Sequence, residues 1–397
     1  MRKIYLDYAS TSATKKEVLK AMVPYFSENF GNASSIHKQG RVAKKAIEIS
    51  RRQIAKFFNC MPSEIIFTSG GTESDNLAIK GFIESIVDAN DTIPHVITSA
   101  FEHHAVLDTV KYLDKRNMVE TSYIKPGRNG IVSLENIKRE IRKNTRLISI
   151  MYVNNEIGTI QPIEKIGKYL QIVNRVRKDH EKIVFHTDAV QAVEYLNCDT
   201  KKLYVDMMSV SAHKFGGPKG VGFLYLRKGV DICRQNIGGA QENHLRGGTY
   251  NTPAIVGMGK AIEILKTNRI KNKIQKILKL RNHMIDRILK EIPDTFLNGD
   301  LTLRSPNNVN VSFKYIEGEA ILIHLDQAGI FASSGSACTS GSLDPSHVLI
   351  SVGLRHEDAH GSIRFTLGEM TTKKDIDYTI EVLKKTVIKL RSMSPFS

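Results

Sequence analysis

From about residue 60 to residue 260 the chain alternates short, nearly all-apolar runs with longer segments of helical periodicity. Ile65-Ile66-Phe67-Thr68 reads as a strand. Asp75 to Val87 follows as a helix, with Leu77, Ala78, Phe82, Ile83 and Ile86 on its apolar side. His95 to Thr98 is the next strand, and a helix runs near Ala105 to Asp114. Further strands are expected at Leu147 to Val153, Ile183 to His186, Val205 to Ser209 and Val221 to Leu226. Runs this apolar suit strands covered on both faces. Their alternation with helices predicts an α/β domain around a mainly parallel sheet.

Beyond residue 260 the pattern changes. A long charged helix is expected over Ile270 to Glu291, a strand at Val309 to Phe313 and a helix at Glu317 to Ala328. A strand at Ser362 to Thr366 and a helix from Lys373 to Arg391 complete the chain. The sequence thus predicts a large domain over residues 15–260. A smaller α+β domain would comprise residues 261–397 together with 1–14.

Composition narrows the function classes. The 397 residues are 41% apolar and 25% charged, ordinary values for a globular chain and unlike a disordered one. No uninterrupted apolar window of about 18 residues exists, so no membrane span is expected. The start, Met1 to Tyr8, has no apolar signal core and carries Asp7, so a soluble, cytoplasmic protein is expected. The charge is +16, from 57 Lys and Arg against 41 Asp and Glu. These cations are spread along the chain and interleaved with acids, which argues against nucleic acid as a direct partner. An acidic protein partner stays open. Of the four cysteines, Cys60, Cys198 and Cys233 carry no motif and read as small buried hydrophobes. No C-x-x-C pair and no ligand spacing among the histidines indicates a metal site.

Five segments carry chemistry. Ser69-Gly70-Gly71-Thr72 lies between a strand and a helix, where two glycines and a helix N-terminus suit a phosphate group. The plain alternative is a βα turn with Thr72 as N-cap. Ser211-Ala212-His213-Lys214 ends a strand and is followed by Phe215-Gly216-Gly217-Pro218. A lysine held in a tight turn can form a Schiff base with a carbonyl cofactor, with Ser211 and His213 beside it for a phosphate. A solvated loop lysine is the alternative. Asp188 closes the run from Ile183, at the end of a strand where open α/β sheets bind ligands. It suits a pyridine nitrogen, and equally an N-cap. Cys338 sits in the Ser/Gly-rich run Ala332 to Ser342, an unusual place for a structural thiol and a suitable one for a reactive thiol. Arg364, inside the apolar strand Ser362 to Thr366, calls for a bidentate anion, either a ligand carboxylate or a structural ion pair.

Taken together and in this order, these segments resemble the pyridoxal-phosphate-dependent cysteine desulfurases of the NifS/IscS type, within the class V aminotransferase superfamily. The likeness runs from Tyr5-Leu6-Asp7-Tyr8-Ala9 and Phe30-Gly31-Asn32 to Ser362-Ile363-Arg364-Phe365. It is strongest at Thr68 to Asn76, Glu102-His103, Val153 to Gly158, Ser211 to Gly220, Arg246 to Thr249 and Ser333 to Ser340. The resemblance implies a seven-stranded, mainly parallel sheet and pyridoxal 5'-phosphate as cofactor. It makes Lys214 the covalent anchor, Asp188 the partner of the ring nitrogen, and Gln191 and Asn155 the partners of the ring hydroxyl. It places His103 on the ring and in proton transfer. Gly71, Thr72, Ser211 and His213 form the phosphate cradle, and Thr249 reaches that cradle from the other subunit of a homodimer. Arg364, with Asn155 and Asn32, binds the substrate, L-cysteine, and Cys338 is the nucleophile that takes its sulfur.

The long Ser/Gly-rich stretch around Cys338 matches the class that hands sulfur to an iron–sulfur scaffold or a tRNA-thiolation protein. Relatives of that class extend past the last residue here, which leaves the scaffold partner open. A selenocysteine lyase would share nearly all these residues. Another class V aminotransferase-like enzyme would not need Cys338.

Overall fold

The computed structural model describes residues 3–87, 92–266, 268–334 and 345–393. Among these residues twelve strands fall into three sheets. In chain order they are β1 (Ile4–Tyr5), β2 (Ile65–Thr68), β3 (His95–Ser99), β4 (Glu120–Ile124), β5 (Thr145–Ser149) and β6 (Val184–Asp188). They continue with β7 (Met207–Ser211), β8 (Gly222–Leu226), β9 (Thr295–Leu297), β10 (Asn308–Phe313), β11 (Ile330–Phe331) and β12 (Ser362–Thr366).

The main sheet has seven strands in the order β2-β8-β7-β6-β5-β3-β4. All run parallel except β8, which is antiparallel to both its neighbours. The mainly parallel seven-stranded sheet is therefore present. Every residue of β2, β3, β6, β7 and β8 is buried, as their continuous apolar character requires. Ile54, Phe58 and Phe223 belong to the apolar core on one face, and Leu77, Ile83 and Leu224 to the core on the other.

Some boundaries differ from the sequence reading. The helix read from Asp75 begins at Gly71 and runs to Val87. The strand read from Leu147 ends at Ser149, and Ile150 to Val153 run on into a turn with Ile150, Met151 and Val153 buried. A long helix, Lys38–Phe58, precedes the first of the expected strands and packs against the helix Thr252–Leu265. It closes on Asn59, whose left-handed φ of 55° ends the helix.

A further core lies in the C-terminal part of the chain. The helices Asn268–Glu291 and Lys373–Ser392 cover the sheet β12-β10-β9, burying Met284, Ile288, Val311, Phe365 and Ile380 among others. Ile4 and Leu6 join this core, and β1 pairs parallel with β11. A few residues on, the chain turns to the main sheet. Ser12 N–H donates to the His213 carbonyl at 2.9 Å, and Lys15 N–H to the Gly216 carbonyl at 3.1 Å. The stretch between, Asp7 to Thr11, thus runs from one core to the other. Among the described residues no helix is long and apolar enough to cross a membrane.

Candidate active site

Strands β2, β6 and β7 run in one direction, so Thr68, Asp188 and Ser211 end at one edge of the sheet. That edge is where open α/β sheets bind ligands. Asp188 is 6% exposed, and its Oδ1 accepts the Val190 N–H at 2.8 Å. Burial pushes its carboxyl up to about 6, against the opposing pull of that N–H and of Lys214. The Lys214 ammonium donates to the carbonyls of Ala9 at 2.6 Å and Ser10 at 2.8 Å. It is therefore held, and the solvated-lysine alternative fails for it. Lys219 in the same loop is exposed. Gln191 Nε2 donates to the same Ala9 carbonyl at 2.9 Å.

Two histidines flank this lysine. His213 Nδ1 lies 3.1 Å from Thr11 Oγ1. His103 precedes the helix His104–Lys115, and its ring nitrogen accepts the Ala105 N–H at 3.1 Å. Burial, with the charge of Lys214, brings both down to about 4. Both rings are therefore neutral at pH 7 and able to accept a proton.

Gly71 is the first residue of its helix, and Thr72 lies inside the first turn, exposed, not at the N-cap. The first N–H groups of a helix have no intrahelical acceptor, so this end is a natural anion site. The chain is tight here. A Cβ at Gly71 would lie 2.8 Å from Val190 Cγ2, and one at Gly222 would lie 2.8 Å from Gly70 Cα. Ser211 faces the same glycines: its Oγ is 3.6 Å from where a Gly70 Cβ would be.

Arg364 in β12 is 3% exposed. Its Nη1 donates to the Asn155 carbonyl at 2.9 Å, and its Nη2 to Asp7 Oδ1 at 3.0 Å and Ser10 Oγ at 2.8 Å. The structural ion pair is thus real. Yet Arg364 Nε and Asn155 Oδ1 are both buried with no hydrogen-bond partner among the described residues. Such atoms are costly unless a ligand satisfies them. Asn155 lies in a turn fixed by Asn154 Oδ1, which accepts the N–H groups of Glu156 and Ile157, and by Arg304 Nη1, which donates to the Ile157 carbonyl at 2.7 Å. Arg364 also pairs backbone to backbone with Ser333, at 2.7 and 3.2 Å. Ser333 lies at the start of the run carrying Cys338, and Cys338 itself lies outside the described residues.

The stretch Asp7 to Ser12 was missed as part of the site. It touches Arg364, Lys214, Gln191 and His213, four of the residues singled out from the sequence. Its signals were a polar, aperiodic run directly after β1 and the likeness that begins at Tyr5 to Ala9. Asn32 and Thr249 are not brought to this group by the described residues of one chain. Both are exposed, and Asn32 Oδ1 caps its own turn at Ser34 N.

An α/β sheet with a held lysine, a buried aspartate and a glycine-lined helix start on one edge defines a cofactor-dependent enzyme. The chain belongs to the aminotransferase class-V family, whose model matches residues 4–379. Enzymes of this family depend on pyridoxal 5'-phosphate. The chain is 49% identical over 395 residues to a cysteine desulfurase IscS of Dictyoglomus turgidum, covering all of this chain and 97% of the relative. It is 50% identical to a cysteine desulfurase IscS of Methanosarcina thermophila, covering 99% of this chain and 94% of that one. Among solved structures, a NifS-like protein matches with a TM-score of 0.89 at 34% identity, over 98% of this chain and all of the other. A structure described as SspA in complex with cysteine matches at 35% identity with a TM-score of 0.80, over 93% and 100%. The residues present fit pyridoxal phosphate. The helix start at Gly71 offers N–H groups to a phosphate, Lys214 supplies the amine, and Asn155 Oδ1 offers an unused acceptor.

Proposed function

We propose that the chain is a pyridoxal-phosphate-dependent cysteine desulfurase that converts L-cysteine to L-alanine and leaves a persulfide on Cys338. One observation carries the reading. Lys214 and Arg364 are tied through the same residue, Ser10, whose carbonyl accepts from the amine and whose hydroxyl accepts from Nη2, while Arg364 Nε has no partner among the described residues. An amine-handling group beside an unsatisfied guanidinium suits an α-amino acid. The similarity to named desulfurases over the full chain supports cysteine as that amino acid, and Cys338 in its Ser/Gly run separates the chain from aminotransferases.

In this reading Lys214 anchors the cofactor, Asp188 pairs with its ring nitrogen, and Gln191 and Asn155 with its hydroxyl. Gly71, Thr72, Ser211 and His213 hold the phosphate. When bound, the cofactor supplies an electron sink for the substrate's α-carbon. Arg364 and Asn155 orient the substrate carboxylate, with Asn32 assigned to the same task. Lys214, through its side-chain amine, carries protons to and from the substrate, and neutral His103 is a second acceptor. Cys338 attacks the substrate sulfur. The Cβ–S bond breaks, an S–S bond forms, and Cβ takes a proton, so alanine and the persulfide account for all atoms.

Two further assignments belong to the same reading. The chain works as a homodimer, with Thr249 completing the partner's phosphate site. Its exposure, with that of the apolar Phe30, Ile36 and Ile237, supports this. The persulfide then passes to a protein acceptor, an iron–sulfur scaffold or a tRNA-thiolation protein. The C-terminal core, separate from the two that cover the main sheet, supports a division of the chain near residue 260, although Val348, Leu349, Val352 and Ala359 return to a main-sheet core.

The test is an absorbance spectrum of the purified protein before and after L-cysteine, with alanine assayed in the same tube. A visible cofactor band that shifts with cysteine, and alanine formed over many turnovers with a thiol reductant, is the expected result. Lys214→Ala should lose the protein-linked band and form no alanine. Persistence of both in that variant refutes the reading.

A further inference from the structure

Glu73 is the third residue of the helix that starts at Gly71, so its carboxylate stands in the first turn, at the end assigned to the phosphate. Its Oε2 accepts the Ser69 N–H at 2.7 Å and so fixes the loop leading into the two glycines. A carboxylate there also repels any anion bound to that helix end. Arg246 answers that charge. Its Nε lies 2.8 Å from Glu73 Oε1 and its Nη2 3.3 Å from Oε2, a two-point pair. Asn236 Nδ2 adds a contact at 3.3 Å. Burial pushes the Glu73 carboxyl up, but the bonds from Arg246 and Ser69 outweigh it and hold the group ionised, below its ordinary range.

Arg246 is distant in sequence and is presented by a strained strut. Glu242, Asn243 and His244 are consecutive non-glycine residues with left-handed φ of 48°, 54° and 69°. L-residues keep such a run only where the surroundings enforce it. The enforcing contact is the buried Glu242 carboxylate, which accepts from Arg51 at 2.7 and 2.9 Å and from the Phe67 N–H at 2.7 Å.

We propose that Arg246 is an electrostatic positioning residue of the phosphate site: by pairing with Glu73 it lets that carboxylate brace the Ser69–Gly71 loop without repelling an anionic ligand. The proposal rests on the reading of Gly71 and Thr72 as the phosphate cradle.

The test titrates the full-length apoprotein with pyridoxal phosphate and, separately, with pyridoxal, which has the same ring and aldehyde but no phosphate. Binding is followed by absorbance. Arg246→Met is expected to weaken pyridoxal phosphate about tenfold, the scale of one uncompensated charge near a partly exposed site, and pyridoxal by less than about twofold. Adding Glu73→Gln to Arg246→Met should restore most of the lost affinity, because the charge to be cancelled is gone. Should Arg246→Met fold poorly, Arg246→Lys serves instead; it keeps the charge and should keep the preference for the phosphorylated ligand. Equal weakening of both ligands, or no recovery in the double variant, overturns the proposal and makes Arg246 a structural brace only. A wild-type protein that binds both ligands equally tightly overturns the cradle reading itself, a different result.

Discussion

Glu242 is the residue whose removal should be felt most widely. Strand β2 is an edge of the main sheet, and its outward backbone groups need covering. The pair Arg51–Glu242 covers them: Glu242 accepts the Phe67 N–H, and Arg51 Nη1 donates to the Ile65 carbonyl at 2.6 Å. The two side chains are 10% and 1% exposed. Breaking a buried pair from one side costs about 3–5 kcal/mol, because the remaining charge stays buried. Here Arg51 keeps a bond to the more exposed Glu48 at 3.1 Å, which argues for the lower end. The orphaned Phe67 N–H adds about 1–3 kcal/mol, partly overlapping the first loss. Glu242→Ala should therefore destabilise the protein by roughly 3–5 kcal/mol. Glu242→Gly loses the same contacts but relieves the left-handed φ of 48°, so it should be about 1 kcal/mol less damaging than alanine. The assay is urea denaturation of the apoprotein followed by far-ultraviolet circular dichroism, since the chain has no tryptophan to report on unfolding. An alanine variant within about 1 kcal/mol of wild type, or a glycine variant worse than alanine, refutes the reasoning.

Three further outcomes follow from the site. Cys338→Ser should retain cofactor and still shift its spectrum with cysteine, but form no persulfide by mass spectrometry; wild-type sulfide release would place the nucleophile elsewhere. Arg364→Lys keeps the charge but loses the fork, and should raise KM for cysteine about 10- to 100-fold with a smaller change in kcat; an unchanged KM would remove Arg364 from substrate binding. Glu102 is fully buried behind the site, taking hydrogen bonds from Ser99 and, at 3.0 Å, from Met151 N–H, and burial pushes its carboxyl up to about 8. The folded chain thus keeps a proton that the unfolded chain releases near pH 4.5, so stability attributable to this group falls as pH rises from about 4.5 to 8. Glu102→Gln should flatten the fall in urea midpoint between pH 6 and 8; parallel profiles for the two proteins would contradict it.

What the sequence disclosed depended on which atoms do the work. Strands β2, β3, β6, β7 and β8 were legible because burial on both faces demands continuous apolar runs. Strand β4 was not, because its first three residues, Glu120, Thr121 and Ser122, are polar and one of its two buried positions is Ser122. The strand read to Val153 overran because Ile150, Met151 and Val153 are apolar for a different reason: they are buried on the way into the Asn155 turn. The helix start was read too late because two glycines oppose helix by propensity, whereas the sheet edge fixes it at Gly71. Lys214, Asp188 and Arg364 stood out because a charged side chain at a strand end or inside an apolar strand needs a reason. Ala9 and Ser10 did not, since they act on Lys214 through backbone carbonyls, which every residue has. The parts assigned to Asn32 and Thr249 came from resemblance alone, and a single chain leaves both residues exposed.

The Asp7 to Ser12 stretch also explains why an ion pair and a ligand clamp are not rival accounts of Arg364. Asp7 engages only Nη2, and Asn155 only Nη1, so the buried guanidinium is charge-compensated while Nε stays open. Ser10 then sets the scale of the site. Its carbonyl accepts from the Lys214 ammonium at 2.8 Å, and its hydroxyl accepts from Arg364 Nη2 at 2.8 Å. The lysine from the main sheet and the arginine from the smaller sheet are thus separated by the dimensions of one serine. Their spacing cannot drift unless this residue lets go of one of them. A ligand with its amine and carboxylate on the same carbon suits two groups held so close; an amino acid whose amine sits further along the chain does not.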